Sequence, residues 1–193
     1  MMNQGFNRRI YTSPKEMIDA VMDILRHAPD LKAASRSGEI DKAFSEKIML
    51  AVTQVNGCRY CDYGHTRAAL KVGVTEDEIV SIARGELGDF PEDEAVALIY
   101  AQHFAESAGN PDPEATQRFV DYYGEEKARY IMAYIRMIMW GNLMGNTFDA
   151  VLSRFKGNPC KNSTLCSELG VLGLTIIGFI PFSIAFALKM MRG

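Results

Sequence analysis

Helix boundary signals divide most of this chain into short segments. Ser13-Pro14-Lys15-Glu16 combines an N-cap residue, a proline at the first helical position and a capping-box glutamate, and Thr75 to Glu78 forms a second capping box. No stretch shows the alternation that is typical of strands. We therefore predict that residues 1–157 form one all-α helical bundle. The predicted helices are about 14–26, 41–55, 58–72, 76–84, 91–108, 113–123 and 125–155.

A long uncharged run follows the bundle. Leu169 to Leu188 contains 20 residues without a charge. As a helix with a rise of about 1.5 Å per residue it would cover roughly 30 Å, the thickness of the hydrocarbon core of a bilayer. The alternative is a core helix that is hydrophobic all round, but Pro181 and the glycines of the run suit a membrane helix better. We expect a bundle at 1–157, a polar linker at 158–168 and a transmembrane anchor helix at 169–193.

Charge and composition exclude several classes of protein. The net charge of −3 provides no basic field, so nucleic acid is not expected as a partner. The first 30 residues carry many charges and contain no apolar core of signal-peptide length. Four cysteines are too few for a secreted disulfide scaffold and favour a reducing compartment. We expect a membrane protein that is anchored at its C-terminus, with the bundle in the cytoplasm.

Three of the residues best suited to chemistry stand close together at Cys58, Cys61 and His65. On a helix they share one face, with Cys61 and His65 one turn apart. A single zinc ion is difficult to place, because about two turns separate Cys58 from His65 and no second Cys/His pair has zinc-ribbon spacing. A dithiol fits better, since a helix N-terminus stabilises a thiolate and a histidine can accept the thiol proton. Two structural cysteines beside a core histidine are the remaining alternative.

The wider pattern is more specific. Glu46 precedes Cys58 by twelve residues, and Cys58-x-x-Cys61-x-x-x-His65 follows. This pattern resembles the core motif of the alkylhydroperoxidase D and carboxymuconolactone decarboxylase family, and the similarity extends over about residues 10–157. The resemblance implies an all-α fold, assembly as a homotrimer or hexamer, and reduction of peroxides by a dithiol/disulfide cycle.

The resemblance also implies a role for each residue of the motif. Cys61 would be the thiolate that attacks the peroxide, Cys58 the resolving thiol, and His65 with Glu46 the proton relay. The helix dipole alone would favour Cys58 as the more acidic thiol, but only Cys61 has His65 one turn away. Tyr60 departs from the pattern, because alkylhydroperoxidase D has a histidine between its cysteines. The decarboxylases of the family lack the cysteine pair, so lactone decarboxylation is not expected.

Three functions are compatible with these residues. The first is a membrane-tethered thiol peroxidase that reduces organic or lipid hydroperoxides and is itself reduced by a thiol protein, with no cofactor and no metal. The alternative is a dithiol-disulfide oxidoreductase or redox sensor whose partner is a protein or a quinone. The third is a noncatalytic membrane assembly subunit, which the intact motif disfavours. The sequence does not separate the first two, because one thiolate can attack an O–O or an S–S bond.

Overall fold

The computed structural model describes residues 6–192, and this range contains seven α-helices and no strand. The prediction of an all-α fold is therefore confirmed. Residues 1–5 and Gly193, which belong to the predicted bundle and anchor, lie outside the described residues. The helices are α1 (Pro14–Ser37), α2 (Lys42–Asn56), α3 (Arg59–Lys71), α4 (Glu76–Arg84), α5 (Glu92–Glu106), α6 (Pro113–Phe155) and α7 (Leu165–Arg192).

Local capping signals account for several of these boundaries. The Ser13 hydroxyl accepts a hydrogen bond from the Glu16 backbone at 3.3 Å, and Thr75 and Glu78 form the complete capping box. Gly124 has a φ of 75° and separates two helical stretches within α6, as the predicted break between 123 and 125 requires. The short-range signals therefore identify the starts of α1 and α4 and the turn in α6.

Helix α1 is longer than the sequence indicates, since it continues past Arg26 to Ser37. Pro29 lies inside the helix and removes one backbone hydrogen bond. The apolar face continues nevertheless, because Ala28, Leu31 and Ala34 are all buried. Burial of this face compensates for the missing hydrogen bond, and the predicted end at Arg26 is wrong.

Helix α2 lies at the centre of the bundle and packs against α3, α4, α5 and α6. Its residues Ile48, Leu50 and Val52 have no exposed surface, which is typical of a helix enclosed on most sides. Lys47 is held between Glu78 and Glu94, with an N···O distance of 2.7 Å to each carboxylate. These contacts fix the helix that carries Glu46 and ends immediately before the first cysteine of the motif.

The C-terminal segment supports the predicted transmembrane helix only in part. Within residues 6–192 no single helix is both long and apolar enough to cross a membrane. Only the pair Leu165–Gly178 and Pro181–Met191 meets that criterion together, and its two parts are bent by 56°. The bend lies between Gly178 and Pro181, and Pro181 has no backbone N–H to donate to the preceding helical turn. A straight span of 20 residues is therefore not present.

The first half of α7 packs on the bundle. Val171 has no exposed surface and contacts a cluster with Tyr11, Met17 and Leu143. Glu168 is also fully buried, and its carboxylate accepts hydrogen bonds from the Arg154 guanidinium at 2.7 and 3.0 Å. The helix begins at Leu165, four residues before the predicted anchor. Its other face is apolar and exposed, with Ile176, Ile177, Ile184 and Met191 as the most prominent residues.

Candidate active site

Cys58 and Cys61 form a disulfide across the first turn of α3, with their Cα atoms 5.4 Å apart. Cys58 is the N-cap residue rather than the first helical residue, and its sulfur accepts a hydrogen bond from the Cys61 backbone at 3.4 Å. Cys58 has no exposed surface, whereas Cys61 is partly exposed. Of the two cysteines, Cys61 is therefore the one with surface that a solute can contact.

Glu46 on α2 and His65 on α3 lie next to each other. The distance from His65 Nδ1 to Glu46 Oε2 is 2.7 Å, and both side chains are largely buried. An ionised carboxylate can only accept hydrogen bonds, so Nδ1–H donates this hydrogen bond when Glu46 is ionised. Nε2 is then the basic nitrogen of the ring. Because His65 follows Cys61 by four residues on α3, the two residues lie on the same face of the helix.

The structure thus brings all four predicted site residues to the contact between α2 and the start of α3. Glu46 and His65 are hydrogen-bonded, and Cys58 and Cys61 are bonded to each other. Among residues 6–192 no three His, Cys, Asp or Glu side chains meet in an arrangement that could hold a metal ion. The site thus combines a disulfide with an imidazole that is oriented by a carboxylate.

Gly145 on α6 packs directly against the disulfide. A Cβ atom at this position would lie 2.7 Å from the Cys58 sulfur and 3.7 Å from the Cys61 sulfur. The first of these distances is far below a normal carbon–sulfur contact, so the sulfurs pack directly on the helix backbone. The sequence analysis missed this residue, because a single glycine within a long helical pattern carries no sign of the partner that it meets 87 residues earlier.

We expect Gly145→Ala to oppose formation of the disulfide. The added methyl group would push Cys58 away from its position, and the fraction of protein oxidised in a fixed thiol/disulfide buffer should fall at least tenfold. Gly141→Ala is the matched control, because it lies one turn earlier on α6 with nothing within 4 Å of its Cβ position. In a helix interior alanine is favoured over glycine by about 1 kcal/mol, so both variants should stabilise α6 itself. A lower oxidised fraction in Gly145→Ala alone would therefore come from the contact with the disulfide. Equal behaviour of the two variants in thiol counting would contradict the close packing.

Asp149, one turn further along α6, is a second residue that the sequence analysis missed. Its carboxylate accepts hydrogen bonds from Arg8, from Arg59 and, at 3.2 Å, from the Tyr60 hydroxyl. Arg59 and Tyr60 are the two residues between the cysteines, and Arg59 also donates to the Tyr60 oxygen at 2.8 Å. Burial alone would raise the pKa of Asp149, but the hydrogen bond from Arg8 and the charges of both arginines outweigh it. The pKa of Asp149 lies below its usual value, so the residue is an anion at neutral pH.

Buried amides on α6 position the end of α2 just before the cysteines. Asn146 donates to the Asn56 carbonyl at 2.8 Å and to the Arg9 carbonyl at 3.0 Å. The Thr53 hydroxyl donates to the Asn142 side chain at 3.1 Å. Asn142 and Asn146 stand four residues apart in an apolar helix and are fully buried, and this spacing of two amides is the signal that could have identified them. They fix the backbone from which Cys58 projects.

Comparison with known proteins identifies the family of the chain. Residues 21–98, which include all four motif residues, match the model of the carboxymuconolactone decarboxylase family. The chain is also 31% identical over 124 residues to the uncharacterized protein YdfG of Bacillus subtilis (strain 168), and the match covers 61% of this chain and 84% of the relative. The chain belongs to the carboxymuconolactone decarboxylase family. That family includes decarboxylases and peroxidases, which favours an enzyme. No solved structure matches the chain significantly.

Proposed function

We propose that this protein is a thiol peroxidase that reduces organic or lipid hydroperoxides through a Cys58/Cys61 dithiol-disulfide cycle. The observation that carries the proposal is the hydrogen bond of 2.7 Å between Glu46 and His65, beside two cysteines that are already paired. A purely structural disulfide requires no histidine that is oriented by a carboxylate. A catalytic thiol requires one, because only the thiolate is a nucleophile.

The reaction can be written with the residues of the site. His65 accepts the Cys61 proton through Nε2, and the thiolate attacks the outer oxygen of the hydroperoxide. The O–O bond breaks, the alkoxide takes a proton from His65 and leaves as the alcohol, and Cys61 becomes a sulfenic acid. The Cys58 sulfur then attacks the Cys61 sulfur, and the hydroxyl leaves as water with the Cys58 proton. One hydroperoxide and two thiols thus give one alcohol, one water molecule and the disulfide, and an external thiol reductant restores the dithiol.

The difference in burial between the cysteines supports Cys61 as the attacking residue. Cys58 has no exposed surface, and Gly145 covers it from α6. A hydroperoxide could not reach this sulfur unless α3 and α6 separated. Cys61 is partly exposed and has His65 one turn away. This arrangement outweighs the advantage that the helix N-terminus offers to Cys58.

The proposed activity is tested by presenting two oxidants to the reduced protein in stopped-flow measurements. If the protein is a peroxidase, cumene hydroperoxide should oxidise the dithiol much faster than a protein disulfide does at equal concentration. The opposite order of rates would favour a dithiol-disulfide oxidoreductase. Oxidation by neither substance would overturn both functions. Loss of the two free thiols, counted by alkylation, provides the readout that both substrates share.

We also propose that the exposed apolar face of α7 holds the protein on a membrane, where lipid hydroperoxides form. Its residues Ile176 and Ile177 are 77% and 75% exposed, although isoleucine is usually a core residue. The bend of 56° between Gly178 and Pro181 is compatible with a broken span and with a helix that lies in the interface. The first half of α7, which packs on the bundle through the buried Glu168 and Val171, connects either arrangement directly to the bundle.

We expect replacement of Ile176 and Ile177 by serine to weaken membrane binding at least tenfold, because transfer of each isoleucine from water contributes about 1.5–3 kcal/mol. Flotation of the protein with phosphatidylcholine vesicles measures the binding. Phe155→Ser is the matched control, since Phe155 is 75% exposed but belongs to α6. Wild-type protein that stays unbound would contradict the proposed attachment, and so would a double variant that floats like wild type.

A further inference from the structure

Asp149 is an acid beside the dithiol that the proposed cycle does not use. Asp149 is 5% exposed and contacts the turn between the two cysteines without touching either sulfur in a hydrogen bond. We infer that Asp149 is a positioning residue that sets the reduction potential of the Cys58/Cys61 pair. The inference rests on the dithiol-disulfide cycle proposed above and assigns a further residue to it.

Asp149 holds the cysteine turn at several points. It binds both intervening residues directly, through the Arg59 guanidinium and the Tyr60 hydroxyl. It also binds Arg8, whose other nitrogen donates to the Gly57 carbonyl at 3.3 Å. Gly57 directly precedes Cys58 and packs against the Arg8 side chain, where a Cβ atom would lie 3.2 Å from Arg8 Cδ. One carboxylate therefore restrains the residue before the first cysteine and both residues that follow it.

This restraint affects the equilibrium between dithiol and disulfide. Closing the disulfide requires the two sulfurs to meet, and a fixed turn provides this proximity without a further loss of conformational entropy. Asp149 on α6 holds Arg59 and Tyr60 in place, and Gly145 on the same helix packs against the two sulfurs. Loosening the turn lowers the effective concentration of one thiol near the other. The disulfide then becomes easier to reduce.

The charge of Asp149 acts in the same direction. Asp149 pairs with both Arg8 and Arg59 and so offsets positive charge beside the cysteine turn, and less positive charge there disfavours a thiolate. When the carboxylate is replaced by an amide, the thiolate form becomes more favourable and Arg59 is free to approach it. A more stable thiolate stabilises the reduced state, so both effects favour the dithiol.

The test is the equilibrium of the full-length protein with dithiothreitol or glutathione buffers of known ratio. The fraction of protein with the Cys58–Cys61 disulfide is measured by alkylation and mass spectrometry of the peptide that contains residues 58–61. We expect Asp149→Asn to lower the equilibrium constant for disulfide formation at least tenfold, which corresponds to a potential about 30 mV less negative. Tyr60→Phe, which removes one of the hydrogen bonds to Asp149, should shift the constant in the same direction by a smaller factor.

Glu168→Gln is the matched control for a loss of stability alone. Glu168 is also a buried carboxylate bound by an arginine, but it lies at the start of α7 and contacts none of the dithiol residues. Its variant should keep the wild-type equilibrium constant while losing thermal stability. A folded Asp149→Asn protein with the wild-type constant overturns the inference. If that variant does not fold, a wild-type constant for Tyr60→Phe overturns it.

These measurements use no peroxide, so the two proposals can fail separately. If the wild-type pair closes reversibly and Asp149→Asn shifts its constant, but no hydroperoxide oxidises the protein, only the peroxidase function is rejected. If peroxide is reduced and the constant does not shift, only the role of Asp149 is rejected. A wild-type pair that never closes in an oxidising buffer overturns both.

Discussion

Cys61→Ser is expected to abolish turnover of organic hydroperoxide, because the variant lacks the only thiolate of the motif that substrate can reach. Cys58→Ser should still react once with the peroxide, since Cys61 and its histidine remain. The sulfenic acid formed on Cys61 then has no partner thiol and should accumulate. Mass spectrometry with a sulfenate-specific tag locates it after a single exposure to cumene hydroperoxide.

Cys166→Ser is the control for this experiment, because Cys166 is a free and exposed cysteine outside the motif. It should retain wild-type turnover and carry no tag. A tag on Cys58 in the Cys61→Ser protein would reverse the assignment of the two thiols. If neither cysteine of the motif is tagged in either variant, the peroxidase mechanism is wrong.

Glu46→Gln is expected to slow the oxidation of Cys61 by roughly 10², the scale of losing a positioned acid or base. The neutral amide accepts the hydrogen bond from Nδ1–H more weakly and can instead donate to Nδ1, so it no longer selects one tautomer of His65 or stabilises the protonated ring. His65→Gln should be impaired to a similar extent or more. The second-order rate constant with cumene hydroperoxide provides the measurement.

Glu94→Gln provides the comparison for Glu46. Glu94 is a partly buried carboxylate bound by Lys47, the neighbour of Glu46 in the chain, and it makes no contact with the histidine. Its variant should lose stability but keep the rate constant. If Glu46→Gln reacts as fast as Glu94→Gln, the carboxylate has no part in proton transfer.

The bundle was largely predictable, because its signals are local. The capping box at Thr75 and the glycine at 124 act within one or two turns of the chain, so a single sequence suffices to place them. The extent of α1 was missed for the opposite reason. Whether a helix continues through Pro29 depends on the surface that buries its next turns, and this surface is contributed by distant helices.

The candidate site likewise contains residues that the local sequence identifies and residues that only the fold brings there. Cys58, Cys61 and His65 lie within eight residues, so their spacing alone places them on one helix face. Gly145 and Asp149 act on that face from α6, more than 80 residues further along the chain. Nothing in their own neighbourhood distinguishes them from other glycines and acids of helices. The segment that the sequence predicts as an anchor shows the same limit, since the uncharged run gives no sign that Val171 packs on the bundle.

The burial of Cys58 has a kinetic consequence for the proposed cycle. A reductant must attack the disulfide at its accessible sulfur, and that sulfur belongs to Cys61, the residue on which the peroxide also reacts. The peroxide and the reductant would therefore react at the same sulfur in turn, and neither could bind there while the other is bound. Such an enzyme follows ping-pong kinetics, and a high concentration of either substrate should inhibit the half-reaction of the other. The rate of detoxification would then depend on the ratio of peroxide to reductant as well as on the amount of each.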